Sequence, residues 1–215
     1  MTYLSKEIYI KPLIIIYLGI NHKPSDFQMD PSIENYLNLN YDVLYIETNS
    51  VFNIKFKIYS DLSKIEKANY KERPSIVFLG HSFGCIFSLY IINILNIESK
   101  TKIIFIDPLT DYMKRFIKII GKEFEDFMDN VPKTIKCKTL IITYYLKGCE
   151  DINTCDKSYV TKYNLKKEMF LNLFDDISNV EVVGLYLDRN LKYIPHDIHK
   201  NYPGKVIELV KTFLS

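Results

Sequence analysis

The sequence predicts an α/β fold, a mostly parallel sheet of about six strands with helices on both faces. Short apolar runs alternate with longer helical stretches, the order expected of parallel strands joined by helical crossovers. The runs are almost continuously apolar rather than alternating, as in strands covered on both faces. Glycine is scarce, 7 residues of 215, yet two glycines bracket a serine in Gly80-His81-Ser82-Phe83-Gly84, between one apolar run and one helical stretch.

The strand-like runs fall at 13–18, 42–47, 75–80, 102–107, 138–145 and 180–187. The helical stretches fall at 31–38, 58–70, 83–96, 111–129, 159–174 and 203–214. Leu13-Ile14-Ile15-Ile16-Tyr17-Leu18 follows Lys6 and Lys11 as a signal sequence would, but Glu7, Pro12 and the lack of a small-x-small cleavage site argue for a first buried strand. Ser75-Ile76-Val77-Phe78-Leu79, bounded by Pro74, is short and β-branched, a buried strand. The run from Cys85 to Leu95 is long and apolar enough for a buried helix. In 111–129, Met113, Phe116, Ile117, Ile120, Phe124 and Phe127 recur at three-to-four spacing, an amphipathic stripe. That helix either packs on the sheet or forms a small cap over 111–136 beside the site. The stretch 146–158 is the longest loop and carries Cys149, Glu150, Asp151, Cys155 and Asp156; loops of that length in compact α/β domains are usually functional or disordered.

At 47% apolar content the chain can bury one sizeable core, so residues 1–215 are expected to form a single domain. The net charge is +2, with acids and bases interspersed and no basic tract, so no nucleic-acid partner is implied. Runs as short as 13–18 do not span a bilayer, and no stable membrane insertion is expected. The four cysteines show no CxxC pair or framework spacing, which predicts a reduced, cytoplasmic protein with Cys149 and Cys155 as free thiols. His196-x-x-His199 alone is a weak metal pattern, so neither a metal nor another cofactor is expected.

A G-x-S-x-G between strand and helix is the context of a nucleophile elbow, where a sharp turn lifts the serine Oγ above the sheet. Its glycines sit where side chains would collide as strand and helix close together. Ser88 offers the contrast: it lies within the helix, has no turn, and is expected to bond back to a carbonyl. A serine hydroxyl needs a base. His81 lies inside the elbow, His22 follows the first strand, and His196 and His199 lie between the last strand and the last helix.

Taken together these segments resemble the α/β-hydrolase superfamily in a compact form. Leu13–Gly19 is similar to that family's strand before the oxyanion loop, Val77–Gly84 to its nucleophile strand and elbow, and Thr139–Leu146 to its strand before the acid. Pro195-His196-Asp197-Ile198-His199-Lys200-Asn201-Tyr202-Pro203 is similar to its histidine loop. The resemblance implies a Ser-His-Asp triad with Ser82 as nucleophile. The family's base commonly stands seven residues before a proline, which points to His196 ahead of Pro203, with His199 as the alternative. The acid commonly follows the strand placed at 138–145, which points to Asp151, although this loop is longer than the family norm. Asp107, in Phe105-Ile106-Asp107-Pro108, is the alternative, a place that some lipases of the family use. The oxyanion hole falls to the backbone N–H of Phe83 and of Ile20, with Leu18-Gly19 standing where the family often has His-Gly. Asn21 and His22 line the mouth, and Leu109 and Met113 lie toward the substrate. The implied activity is cleavage of an ester or thioester of a small, mostly apolar acyl group. The alternative is a non-catalytic binding or scaffold protein that keeps the fold.

Overall fold

A computed structural model describes residues 10–20, 22–25, 31–48, 53–108, 121–146, 171–187 and 198–215. Among them six strands form one sheet: β1 (Leu13–Ile20), β2 (Asp42–Thr48), β3 (Ile76–His81), β4 (Thr101–Ile106), β5 (Lys138–Leu146) and β6 (Val180–Leu187). The order is β2-β1-β3-β4-β5-β6, and every pairing is parallel. The helices are α1 (Pro31–Asn40), α2 (Ile54–Lys67), α3 (Gly84–Leu95), α4 (Lys122–Asp129), α5 (Ile198–Asn201) and α6 (Pro203–Leu214).

The period of two in a strand divides each apolar run between two cores. Leu13, Ile15, Tyr17, Ile76 and Phe78 face a core closed by α2, α3 and α4. Ile14, Ile16, Leu18, Val77 and Leu79 face a second core closed by α1 and α6. Both faces are thus covered, which is why these strands read as unbroken apolar runs. Each fully buried Ile or Leu is worth about 1.5–3 kcal/mol against exposure.

The strand order reverses between β1 and β3, since β2 lies outside β1 while β4, β5 and β6 follow β3. Crevices at the carboxyl ends of strands beside such a reversal are where open α/β sheets bind ligands. Gly19 near the end of β1 and Ser82 just after β3 flank this point.

The opposite, amino-terminal edge is held by cations on main-chain carbonyls. Arg73 donates to the carbonyls of Ala68 and Lys11 and pairs with Asp42. Lys100 Nζ donates to the carbonyls of Tyr70 and Lys71, and Lys102 Nζ to those of Phe213 and Leu214.

One helix begins earlier than the sequence predicts: α2 starts at Ile54 and ends at Lys67, not 58–70. Its first turn carries Phe56 at 71% exposure, followed by Tyr59 at 74%, so the large apolar side chains mislead about which face is buried. The carboxyl half of the stripe predicted over 111–129 is present as α4, which buries Phe124 and Phe127. The rest of that stretch, 111–120, lies outside the described residues.

Candidate active site

The elbow takes its shape from steric necessity. A Cβ on Gly80 would stand 2.7 Å from the Cα of Cys85, and one on Gly84 would stand 2.4 Å from the carbonyl oxygen of Tyr17. Only hydrogen fits at either position, and α3 is thereby seated against both β3 and β1. Between them Ser82 has φ 56, a left-handed conformation that costs a non-glycine residue about 1–3 kcal/mol. Its N–H donates to the Ile106 carbonyl at 3.1 Å, and its own carbonyl accepts from the Cys85 N–H at 3.3 Å, which hold the turn. Ser88 behaves as an ordinary helix serine, its Oγ donating to the Gly84 carbonyl at 2.8 Å.

The end of β1 lies directly beside the serine. A Cβ on Gly19 would stand 3.1 Å from Ser82 Cβ and 3.5 Å from Ser82 Oγ. The chain then curls, with the His22 N–H donating to the Gly19 carbonyl at 3.1 Å. The His22 ring stacks on His81 at 5.1 Å, and the His199 ring lies edge-on to His81 at 4.8 Å. His81 and His199 are both fully buried. The ring of Phe83 turns into the core of α2, α3 and α4, stacked on Phe124 at 5.8 Å and edge-on to Phe87 at 5.5 Å. It is 2% exposed, so its contribution at the surface of the site is its main chain.

Asp107 occupies the position after β4 that Ser82 occupies after β3. The register pairs His81 with Ile106, so these two residues are the next on neighbouring strands. Asp107 also has a positive φ, 45, and its N–H donates to the Ile142 carbonyl at 2.9 Å. It is 8% exposed. Burial first, and then the charge of Asp107, push the Cys85 thiol well above its usual range, which keeps that sulfur protonated and unreactive. Cys137, also a free thiol, is pushed up to about 12, mainly by burial. Among the described residues no group of three or more His, Cys, Asp or Glu could hold a metal ion.

The structure thus brings Ser82, the Gly19–Ile20 chain, Phe83, Asp107, His22, His81 and His199 to one end of the sheet. His196, Asp151, Asn21, Leu109, Met113, Cys149 and Cys155 lie outside the described residues.

A second polar group was not anticipated from the sequence. Asp61 is 1% exposed, and its Oδ2 accepts from Lys57 Nζ at 2.7 Å and from the Tyr17 hydroxyl at 3.2 Å. Lys57 Nζ also donates to the Glu47 carbonyl at 2.9 Å and lies over the rings of Tyr17 and Phe87. Burial pushes the Tyr17 phenol and the Asp61 carboxyl up and the Lys57 ammonium down. A signal was present: Ile54, Ile58, Asp61 and Ile65 are the buried stripe of α2, and Asp61 takes an apolar place in it.

No protein-family model matches this chain. No curated protein is similar enough in sequence to count as a relative. Solved structures are similar in shape. Est1E from Butyrivibrio proteoclasticus aligns with 95% of this chain and 89% of its own, at 12% identity and TM-score 0.55. MGS-MChE2, an alpha/beta hydrolase enzyme from the sediment metagenome of the lagoon of Mar Chica, Morocco, aligns over 95% and 90%, at 15% identity and TM-score 0.55. The monoacylglycerol lipase of Paleococcus ferrophilus aligns over 95% and 97%, at 9% identity and TM-score 0.53. The parallel six-stranded sheet, the strained serine at the β3–α3 turn and these neighbours agree: the chain has the α/β-hydrolase fold.

Proposed function

We propose that this chain is a serine hydrolase that cleaves an ester or thioester of a small, mostly apolar acyl group through an acyl-Ser82 intermediate. The observation that carries the reading is the left-handed φ of Ser82 at the end of a fully buried strand, against the first turn of α3. Strain of this kind persists where the surrounding structure enforces it, and it clusters at reactive groups. The neighbours named hydrolase and lipase support the same class of chemistry.

In this reading a histidine takes the Ser82 proton as Oγ attacks the acyl carbonyl. The developing oxyanion meets the N–H of Phe83 and of Ile20, donors fixed before the reaction begins. The leaving group departs with the proton, and water then repeats the sequence on the acyl-serine. We assign the base to His196 rather than His199, whose ring is engaged edge-on with His81 beneath the elbow. We assign the acid to Asp151, after β5. Asp107 is the second candidate, favoured by its buried place beside Ser82. Among the described residues no helix is long and apolar enough to cross a membrane.

Steady-state hydrolysis of p-nitrophenyl esters tests the assignments. Ser82→Ala and His196→Ala should each lower kcat by about 10⁴–10⁶. Asp151→Asn should cost about 10⁴ and Asp107→Asn far less. The series should rise from acetate and peak below long-chain acids, each added methylene gaining up to about 0.8 kcal/mol of burial until the site is full. A dead His199→Ala beside an active His196→Ala moves the base, and a loss confined to Asp107→Asn moves the acid. A preference for anionic acyl groups contradicts the substrate class.

A further inference from the structure

We propose that Lys57, Asp61 and Tyr17 are positioning residues that clamp the end of β1 beside Ser82; this rests on the reading of Ser82 as nucleophile. The pairing of β1 with β2 is regular from Leu13↔Asp42 to Tyr17↔Ile46 and then slips, resuming at Ile20↔Thr48. Leu18 and Gly19 on β1 therefore face the single residue Glu47 on β2. This is a bulge, a device that bends a strand and re-aims its end, often beside a reactive site. Here it turns the chain at Gly19–Ile20 onto the serine.

The three polar groups grip that bulge from both sides. Tyr17 is the last residue in register on β1, and its hydroxyl donates to Asp61. Glu47 is the β2 residue opposite the slip, and its carbonyl accepts from Lys57. Lys57 and Asp61, one helical turn apart on α2, are joined to each other at 2.7 Å. The same Tyr17 presents its carbonyl to Gly84, so the strand that bears one oxyanion donor is seated on the helix start that follows the other. A buried ion pair gives little net stability over apolar side chains of the same size. Its use here is directional: it joins α2, β1 and β2 at one point, which an apolar contact would not fix. The rings of Phe78 and Phe87 hold the Tyr17 ring in place at 6.3 and 6.5 Å, so the hydroxyl can be removed without emptying the core.

Tyr17→Phe and Lys57→Met test the clamp in purified full-length protein, with Arg73→Met as the control on the far edge of the sheet. The measurements are kcat and KM on p-nitrophenyl butyrate, inhibition by a phenylboronic acid that mimics the tetrahedral state, and thermal melting. Tyr17→Phe should lower kcat about tenfold, part of the about 10²–10³ that loss of a whole oxyanion donor costs. KM should stay within about twofold, and boronic acid binding should weaken by the same factor as kcat. Arg73→Met should lower the melting temperature and leave kcat unchanged. If Lys57→Met does not fold, Tyr17→Phe decides. A lowered melting temperature with unchanged kcat and unchanged boronic acid binding in Tyr17→Phe overturns the clamp. If wild-type protein forms no adduct on Ser82 with a fluorophosphonate, the nucleophile reading falls and takes the clamp with it. If the adduct forms and Tyr17→Phe keeps its kcat, the clamp alone falls.

Discussion

At the amino-terminal edge of the sheet, cations reach for main-chain carbonyls: Arg73 for Ala68 and Lys11, Lys100 for Tyr70 and Lys71, Lys102 for the end of α6. The buried polar residues there are threonines, Thr101 and Thr139, each hydroxyl donating to a nearby carbonyl. At the carboxyl-terminal edge the buried polar residues, among those described, include Thr48, Asp61, His81, Ser82, Asp107, Thr143 and His199. There too, two strands end in left-handed residues that are neither glycine nor asparagine. Among the described residues the other left-handed non-glycine residues, Asn53, Asn69 and Asn96, flank helices; asparagine, like the aspartate at 107, tolerates this conformation, and serine does so less readily. The same strands are thus finished in two ways. One end is closed by inexpensive contacts that satisfy the backbone. The other concentrates a strained serine and titratable groups, the arrangement on which the proposed chemistry rests.

The comparison is open to attack through the packing of the elbow. Gly84→Ala forces a methyl group into the Tyr17 carbonyl and should destabilise the protein by about 1–3 kcal/mol in urea unfolding, with a matching loss of activity. An unperturbed Gly84→Ala would mean that α3 and β1 are less tightly joined than the geometry states. A smaller effect concerns strain itself. Ser82→Gly should raise stability by about 1 kcal/mol while abolishing activity, because glycine accepts a left-handed φ freely. Asn69→Gly, at φ 54, should change stability by only about a few tenths of that, since asparagine is already at ease there. Equal effects at the two positions would remove the distinction between the edges.

The two thiols give the mildest test. Burial raises the folded pKa of Cys137 from 9.0 to about 12, so its neutral form is favoured by folding. The stability it contributes is complete below pH 9 and declines as pH rises from there toward 12. Cys85 should follow the same direction at the other edge. Native protein at pH 8 should therefore leave both thiols unalkylated by iodoacetamide, and rapid labelling of Cys85 would contradict the burial of the elbow.

The regular part of this molecule was legible because its signals are local. The runs at 13–18 and 76–79 are buried from both sides, and their shortness and β-branched residues point to strands. Ser82 was legible for the same reason, since two glycines and a strand-to-helix change lie within five residues. The start of α2 was not, because Phe56 and Tyr59 are large, apolar and exposed. The bulge at Leu18–Gly19 was not either, because it is a relation between β1 and β2. The stack of His22, His81 and His199 joins three distant parts of the chain, and only tertiary structure creates it. Lys57 and Asp61 look like a solvated pair four apart, and only the place of Asp61 among Ile54, Ile58 and Ile65 betrays its burial.

The central claim is that the strained serine at the carboxyl edge is a nucleophile. The direct measurement is mass spectrometry of the folded protein after treatment with a fluorophosphonate, followed by peptide mapping. The account predicts one adduct per chain, on Ser82, absent from Ser82→Ala and from heat-denatured protein. No adduct on folded protein, or an adduct on any other residue, would contradict it.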